Sequence, residues 1–354
     1  MSALPQPFDR REPLPEPVPD GGYLYLASPL EHTNTTIRSL ARRLGLTAAD
    51  TSRDVVSVHV PPGELRRFCD ALAEGLSVAT LQDTRSLLKE SAKSPTLADL
   101  VQMRPLATLI GRARADWLID MLRDDRLIVH FQPVVSCEHQ DVVVGHECLV
   151  RGVERDGTLV HQVHMARAAG DAGLRYQLDR RARLAAIRAA ASHGVPGLVF
   201  VNVDAGAVYE TASCLQSLAR AVAEAAISPG RMVLETTADA VTDDLAHVLA
   251  LAASYRSAGF RVALGDVGGG HGSFGLVGRL RPDFVKIGME LGRSAAHDAH
   301  AARVATRIIE LAHGSGAQVV AIGIERREDW AWFRAHGADF AQGNALAQPG
   351  VSSS

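Results

Sequence analysis

Short apolar runs that alternate with amphipathic helices over residues 127–350 predict an α/β fold, a (β/α)8 barrel of the TIM type. A small N-terminal α/β module is predicted to precede this barrel. Three observations support the prediction: there are about eight strand-like runs, most are followed by a helical pattern, and the texture of the sequence changes at Leu127. A doubly wound open sheet is the alternative that the same pattern allows.

The N-terminal part divides into a leader and a module. Residues 1–20 are rich in proline, which blocks regular structure, so we expect a disordered leader. Residues 21–95 show strand patterns at Tyr23–Ala27 and Val55–Val60 and helical spacing at Asn34–Leu44 and Glu64–Leu76. They predict a small α/β module to which no chemistry can be attached.

Residues 96–126 follow as a predicted connecting helix, because their apolar residues recur at steps of three and four. The barrel, residues 127–350, begins with Ile128–Val135. Helices such as Tyr176–Ala191 and His300–His313 lie between its strands. The remaining strand-like runs are Val142–Val150, Leu198–Val203, Met232–Leu234, Arg261–Leu264, Phe284–Ile287, Gln318–Ala321 and Asp339–Ala341.

Composition excludes several classes of function. No apolar run approaches the ~20 residues of a membrane span, and the N-terminus lacks the apolar core of a secretory signal. The net charge of −3 argues against nonspecific nucleic-acid binding, and the arginines of residues 175–188 indicate a solvated helix face. The four cysteines form no Cys-x-x-Cys pair. We therefore expect a cytoplasmic protein without membrane insertion, nucleic-acid binding or structural zinc.

Lys286 is the lysine that the sequence singles out. The chain has 37 lysines and arginines, of which only Lys89, Lys93 and Lys286 are lysines. Lys286 lies in the apolar run Asp283–Gly288, where an ammonium is costly to bury unless a carboxylate, phosphate or water meets it. A functional lysine is the favoured interpretation, and a satisfied core or rim lysine is the alternative.

Polar residues close most of the predicted barrel strands. The C-terminal strand ends of such a barrel meet at one mouth, where active sites form. Carboxylate and amide oxygens there are the ligands that Mg²⁺ and Mn²⁺ prefer. Read in order, the residues at the strand ends are Glu147, Asn202, Glu235, Asp266, Lys286, Ile322 and Gln342.

An ordered set of short motifs carries a resemblance to EAL domains, the cyclic di-GMP phosphodiesterases. It covers about residues 120–350 and implies a modified TIM barrel. The motifs that resemble the family are Phe131–Val134, Gly145–Arg151, Val201–Val203, Leu234–Thr237, Gly265–Gly268, Phe284–Ile287, Gly323–Glu325 and Ala341–Gly343.

The resemblance implies that part of the catalytic machinery is missing. Glu147, Asn202 and Glu235 match metal ligands, and Lys286 and Asp266 match a catalytic lysine and the second residue of an aspartate pair. The metal-bridging aspartate is replaced by Gly265, and the glutamate proposed to activate water is replaced by Ile322. Two further departures are Ala238, where a loop-steadying glutamate is usual, and His271, where a tyrosine is usual.

Two-metal hydrolysis needs both ions to be placed, so these replacements predict little or no phosphodiesterase activity. No cofactor is then required for the remaining function, although a single weak Mg²⁺ or Mn²⁺ site at the three retained ligands stays open.

The resemblance also implies a largely retained nucleotide pocket. An aromatic that usually follows the last motif is Asn344 here, which removes a stacking surface worth about 1–3 kcal/mol per base. The positions that match the family's ligand-binding residues are Gln132, Glu147, Leu149, Arg151, Asn202, Asp266 and Gln342.

Three functions follow as hypotheses. The favoured one is a receptor that binds cyclic di-GMP without efficient hydrolysis and relays the signal to a protein partner. The alternatives are a nucleotide-independent protein-interaction module and a weak cyclic di-GMP phosphodiesterase that uses one metal. A homodimer is also consistent with the resemblance.

Overall fold

The computed structural model describes residues 14–52, 54–92, 95–139, 142–208, 211–237, 244–269 and 273–351. The chain divides into two compact units: Met1–Arg126 with Val163–Leu178, and Leu127–Gln162 with Asp179–Ser354. Residues 163–178, which the sequence placed in the barrel, thus group with the first unit. Among the described residues, no helix combines the length and the apolar character that a membrane span needs.

The first unit contains an antiparallel sheet with the strand order β2-β3-β1-β4-β5. Its first four strands and two long helices follow in the chain order of a ferredoxin-like βαββαβ unit, with a short extra helix before β4. The strands are β1 Gly22–Ala27, β2 Thr47–Ser52, β3 Val55–Val60, β4 Arg85–Lys89 and β5 Arg104–Pro105. The helices are α1 Glu31–Arg43, α2 Leu65–Gly75, α3 Val78–Asp83, α4 Leu97–Gln102, α5 Leu106–Arg114, α6 Asp116–Arg123 and α7 Gln162–Ala172.

The core of this unit forms where one face of the sheet meets α1 and α2. Leu24 and Leu26 alternate along β1, as side chains on one face of a strand must, and both are fully buried. Ile37 of α1 and Phe68 of α2 belong to the same apolar cluster. The predicted N-terminal α/β module is confirmed.

The single helix expected over residues 96–126 is three helices and a short strand. Thr96 caps α4 through a reciprocal capping box with Asp99. Pro105 then ends any continuing helix, because proline lacks the amide hydrogen that the helix interior needs, and it lies in β5 beside β4. Helices α5 and α6 are separated by Ala115.

The second unit is a closed eight-stranded barrel. Its strands follow the order β6-β14-β13-β12-β11-β10-β9-β7, and a β6–β7 pairing closes the ring. β6 is antiparallel to both neighbours, whereas the other neighbouring pairs are parallel, and a short β8 adds to β7. The strands are β6 Leu127–Ser136, β7 Val143–Val153, β8 Leu159–His161, β9 Leu198–Asn202, β10 Met232–Thr237, β11 Arg261–Val267, β12 Phe284–Ile287, β13 Gln318–Ile322 and β14 Phe340–Gln342.

The predicted TIM-type barrel is therefore confirmed, and the open-sheet alternative is wrong. Helices follow the parallel strands, as a β/α barrel requires. They are α8 Arg175–Ser192, α9 Thr211–Glu224, α10 Leu245–Ser257, α11 Ser273–Leu280, α12 Met289–Ser294, α13 Ala299–Gly314 and α14 Arg327–Ala335.

Apolar side chains fill the barrel interior beneath the mouth. Val134, Phe200, Val233 and Phe284 belong to one buried cluster. The rings of Phe200 and Phe284 meet edge to face, with centroids 5.3 Å apart. This part of the interior is thus a packed apolar core.

Candidate functional site

Lys286 lies at the centre of the polar mouth of the barrel. Its side chain is 1% exposed, and its Nζ donates hydrogen bonds of 2.7 Å to Glu147 Oε2 and of 2.7 Å to Glu235 Oε2. The same ammonium lies 5.5 Å from the centroid of the Phe200 ring. The lysine that the composition singled out is buried between two carboxylates from two other strands.

Strand register explains why these side chains meet. In parallel strands β9 and β10, Asn202 is the register partner of Glu235, so the two side chains share one face. Gln132 and Glu147 are partners across β6 and β7. Because these strands belong to one closed barrel, their inward faces converge on one mouth.

Side-chain amides complete the bonding of Glu147. Gln342 Nε2 donates to Glu147 Oε2 at 2.8 Å and to Gln132 Oε1 at 3.0 Å. Asn202 Nδ2 donates to Glu147 Oε1 at 3.2 Å. Both oxygens of Glu147 therefore face N–H donors.

The two carboxylates differ in their electrostatics. Burial acts to raise the pKa of Glu147, but the charge of Lys286 and the hydrogen bonds of Lys286, Gln342 and Asn202 outweigh it, so this pKa is lowered. Burial raises the pKa of Glu235 to about 7, because Lys286 offsets it only in part and the charge of Glu147 adds to it. Burial opposes the charge of Lys286, yet the two carboxylates prevail and raise the pKa of Lys286.

The arrangement does not fit a divalent metal ion as it stands. The ammonium lies between the two carboxylates that would hold such an ion, and Asn202 turns an N–H toward Glu147. A Cβ at Gly265 would lie 2.6 Å from Glu235 Oε1, so the Glu235 carboxylate occupies the space beside this glycine. Within the described residues there is no cluster of three or more His, Cys, Asp or Glu placed to hold a metal.

Asp266 takes a conformation that is uncommon for a side-chain-bearing residue. Its φ is +55°, in the left-handed region, and its side chain is exposed. A Cβ at Gly269 would lie 2.9 Å from its carboxylate oxygens, and one at Gly288 would lie 2.6 Å from Oδ1. Glycine at both positions leaves room for this carboxylate at the C-terminal end of β11.

Leu149 and Arg151 continue the face of β7 that carries Glu147. Residues two apart on a strand share a face, and the register partners of Leu149 and Arg151 are His130 and Ile128 of β6. At ~3.3 Å per residue, Arg151 lies about 13 Å along the strand from Glu147. Its Nη1 donates to the Val150 carbonyl at 3.0 Å, and burial lowers the pKa of its guanidinium.

Other positions noted in the sequence lie around the mouth. Ile322 ends β13, half-buried, opposite Gln342 of β14. Glu325 forms an ion pair of 2.6 Å with Arg293 and is largely exposed. Asn344 is exposed, and its Oδ1 lies 3.5 Å from Gln132 Nε2. Ala238 and His271 lie outside the described residues.

Helix α8 contains a buried ion pair that the sequence analysis did not predict. Arg183 Nη2 lies 2.7 Å from Asp179 Oδ2, and both side chains are buried. Arg183 Nη1 also donates to Cys214 Sγ at 2.9 Å, while Asp179 Oδ1 accepts from the Asp204 amide at 2.8 Å. The solvated face predicted for residues 175–188 is therefore wrong at Arg183. The i,i+4 spacing of Asp179 and Arg183 was the available signal.

Comparison with known proteins adds the following findings. The model of the EAL domain family matches residues 115–349. A curated relative from Escherichia coli K12, named a probable cyclic di-GMP phosphodiesterase PdeB, is 27% identical over 233 residues, 64% of this chain and 43% of the relative. The cyclic di-GMP phosphodiesterase NbdA of Pseudomonas aeruginosa is 26% identical over 64% of this chain and 29% of its own length. The chain thus spans less than half of these relatives.

Solved structures share the barrel. The FimX EAL domain from Pseudomonas aeruginosa, bound to c-di-GMP, has a TM-score of 0.62 at 21% identity, over 68% of this chain and 97% of that one. A standalone EAL protein from Vibrio cholerae O395, in its c-di-GMP bound form, has a TM-score of 0.57 at 26% identity, over 64% of this chain and 93% of that one.

Proposed function

Because the chain belongs to the EAL domain family, we propose that its barrel binds cyclic di-GMP without hydrolysing it efficiently and relays the bound state to a protein partner. The observation that carries this proposal is the mouth itself: Lys286 holds Glu147 and Glu235 together at 2.7 Å each, beside a glycine at 265.

Impaired hydrolysis follows from the chemistry of the side chains at two positions. Hydrolysis of a phosphodiester needs a water that is deprotonated and oriented, by metal ions or by a base. Gly265 and Ile322 offer neither an oxygen ligand nor a base. Loss of a general base alone costs about 10²–10⁴-fold in rate, and loss of a metal adds to this.

Retained binding is supported by the side chains that do converge. Gln132, Asn202 and Gln342 place amide groups at the mouth, and Arg151 adds a positive charge farther along β7. Amides hydrogen-bond to purine edges, and a guanidinium suits phosphate. This distribution matches an elongated ligand with two bases and two phosphates. The Vibrio cholerae protein, at 26% identity, supports the same ligand class.

The relay is assigned to the first unit, because it is a separate compact unit with its own core. In this proposal a change at the barrel reaches the partner through this unit. Its ferredoxin-like sheet carries no chemistry that identifies the partner, because a fold does not fix a function. A cytoplasmic location and a homodimer belong to the same proposal.

Calorimetry of the full chain with cyclic di-GMP, in EDTA and then in Mg²⁺ or Mn²⁺, tests the proposal. We expect binding in EDTA and a strong loss of affinity in Arg151→Ala. Arg220→Ala is the matched control, because Arg220 is an exposed arginine on α9 that pairs with Glu224. Chromatography of the same samples measures linear product.

The alternatives give different results. If no heat of binding is measured at tens of micromolar protein, the receptor hypothesis is ruled out and a nucleotide-independent interaction module is favoured. The exposed Asn344, which stands where an aromatic residue is usual, supports that module. Linear product in Mn²⁺ that Glu147→Ala abolishes would establish a weak phosphodiesterase with a single metal ion.

A further inference from the structure

We propose that Lys286 takes the place of a divalent cation at the barrel mouth, that Gly265 makes this replacement possible, and that ligand binding is therefore independent of Mg²⁺ and Mn²⁺. The ligand part of this inference rests on the proposed function. The cation part stands without it, and the experiments below separate the two.

The Lys286 ammonium already supplies the positive charge that a divalent cation would bring to the two carboxylates. Lys286 Nζ makes two bonds of 2.7 Å to carboxylate oxygens on β7 and β10, and its side chain is 1% exposed. A divalent ion held by the same oxygens would have to displace this buried ammonium, because both groups would bind the same two carboxylates. Expelling it leaves a buried charge unpaired, which costs several kcal/mol.

The other N–H donors to Glu147 also oppose metal binding. Glu147 accepts from Asn202, Gln342 and Lys286, so three N–H donors from three strands converge on one carboxylate. A carboxylate has about four acceptor positions, and most of those on Glu147 are already in use. A metal would compete with every one of these bonds.

Gly265 provides the space that the arrangement needs. A Cβ there would lie 2.6 Å from Glu235 Oε1 and 3.4 Å from Glu235 Cδ, and the former separation is shorter than real Cβ contacts allow. Any side chain at 265, aspartate included, forces the Glu235 carboxylate to move from its present position. Glu235 Oε1 is the far end of a flexible side chain, so the carboxylate can turn away from a side chain at 265. That turn would also shift Oε2, which bonds to Lys286, and an aspartate at 265 would in addition supply an oxygen ligand.

Titration of the full chain with Mn²⁺, followed by the loss of the free-ion electron paramagnetic resonance signal, tests the cation part. We expect no saturable site in the natural sequence and a new one-to-one site in Gly265→Asp. Gly278→Asp is the matched control, because Gly278 is exposed on α11 and a Cβ there meets nothing within 4 Å. If Gly265→Asp does not fold, Lys286→Met replaces it, since freeing the two carboxylates is also expected to create a site.

The opposite results would overturn the inference. A saturable Mn²⁺ site in the natural sequence that Glu147→Gln removes would show that Lys286 does not exclude the ion. A folded Gly265→Asp variant without a saturable Mn²⁺ site would contradict the proposed role of Gly265.

Nucleotide titration of the natural sequence needs no variant. Equal dissociation constants for cyclic di-GMP in EDTA and in Mn²⁺ support the inference, whereas a tenfold or greater gain in Mn²⁺ contradicts it. If cyclic di-GMP binds under neither condition, the proposed function fails, and the Mn²⁺ titration alone decides whether Lys286 replaces the cation.

Discussion

Glu235 Oε2 and Lys286 Nζ form a buried ion pair of 2.7 Å, yet the pKa of Glu235 is raised to about 7, because burial outweighs the attraction of a single ammonium that is shared with Glu147. The folded protein therefore holds a proton on Glu235 at pH values where the unfolded chain, with an ordinary pKa of 4.5, has lost it.

This difference predicts a pH dependence of stability. Between pH 4.5 and about 7 the folded state binds more protons than the unfolded state, so the free energy of unfolding falls as the pH rises through this window. The contribution is fully present below the lower pKa and is lost above the upper one, and it amounts to up to about 3 kcal/mol. Glu235→Gln is expected to flatten this slope in urea denaturation in EDTA. Glu224→Gln, on the exposed face of α9, serves as control, and an unchanged slope in Glu235→Gln would contradict the assignment.

Removing the ammonium is expected to destabilise the barrel. Lys286→Met leaves Glu147 and Glu235 buried without their cation, which costs about 3–5 kcal/mol in the free energy of unfolding. Lys89→Met is the matched control, because Lys89 pairs with Asp99 nearer the surface, where an ion pair contributes about 0–1 kcal/mol. The comparison is made by urea denaturation at pH 8, where both carboxylates of the mouth are ionised in the natural protein. Equal losses in the two variants would refute a special role for the buried pair.

Restoring the missing carboxylates is expected to require both positions. Ile322→Glu alone adds a base without a bridging ligand, and Gly265→Asp alone adds a ligand without that base, so each is expected to remain near background in releasing linear product from cyclic di-GMP. The double variant in Mn²⁺ is expected to exceed both by at least the ~10²-fold that a general base typically contributes. Chromatography of the linear product measures this. High activity in Ile322→Glu alone would mean that the natural mouth already positions a metal.

The Asp179–Arg183 pair predicts a second sensitive position. Arg183→Met leaves the buried Asp179 carboxylate without its cation, although Asp179 still accepts a hydrogen bond from the Asp204 amide, and is expected to cost about 3–5 kcal/mol in the free energy of unfolding. Arg220→Met, at an exposed pair, is expected to change stability by less than about 1 kcal/mol. Thermal unfolding of the two variants side by side checks this, and similar melting temperatures would contradict it.

Much of the barrel could be predicted because its signals are local. The alternation of apolar runs and helices placed all eight strands, and the polar residues that close them meet at one mouth because parallel strands end on one side. In residues 96–126 the apolar spacing predicted helix, but it did not predict the break at Pro105 or the pairing of this residue with β4, since a two-residue strand exists only through its partner.

Asp266 and Arg183 show what local sequence patterns could not predict. The sequence placed Asp266 with the other acidic residues, but its positive φ turns its carboxylate toward the space left by Gly269 and Gly288. Arg183 belongs to an arginine-rich helix that is otherwise typical of a solvated face, and only the packing of α8 beside Cys214 buries it.

The sequence by itself determined where the strands lie along the chain, the family and the identities of the residues at the mouth, because these depend on periodicity and on motifs along the chain. Only the tertiary structure decided what those residues do to one another. The position of the Lys286 ammonium between Glu147 and Glu235, and the room that Gly265 leaves for the Glu235 carboxylate, depend on distances between strands far apart in sequence. Charge and space at a buried site are set by all the strands together, and no single strand carries that information.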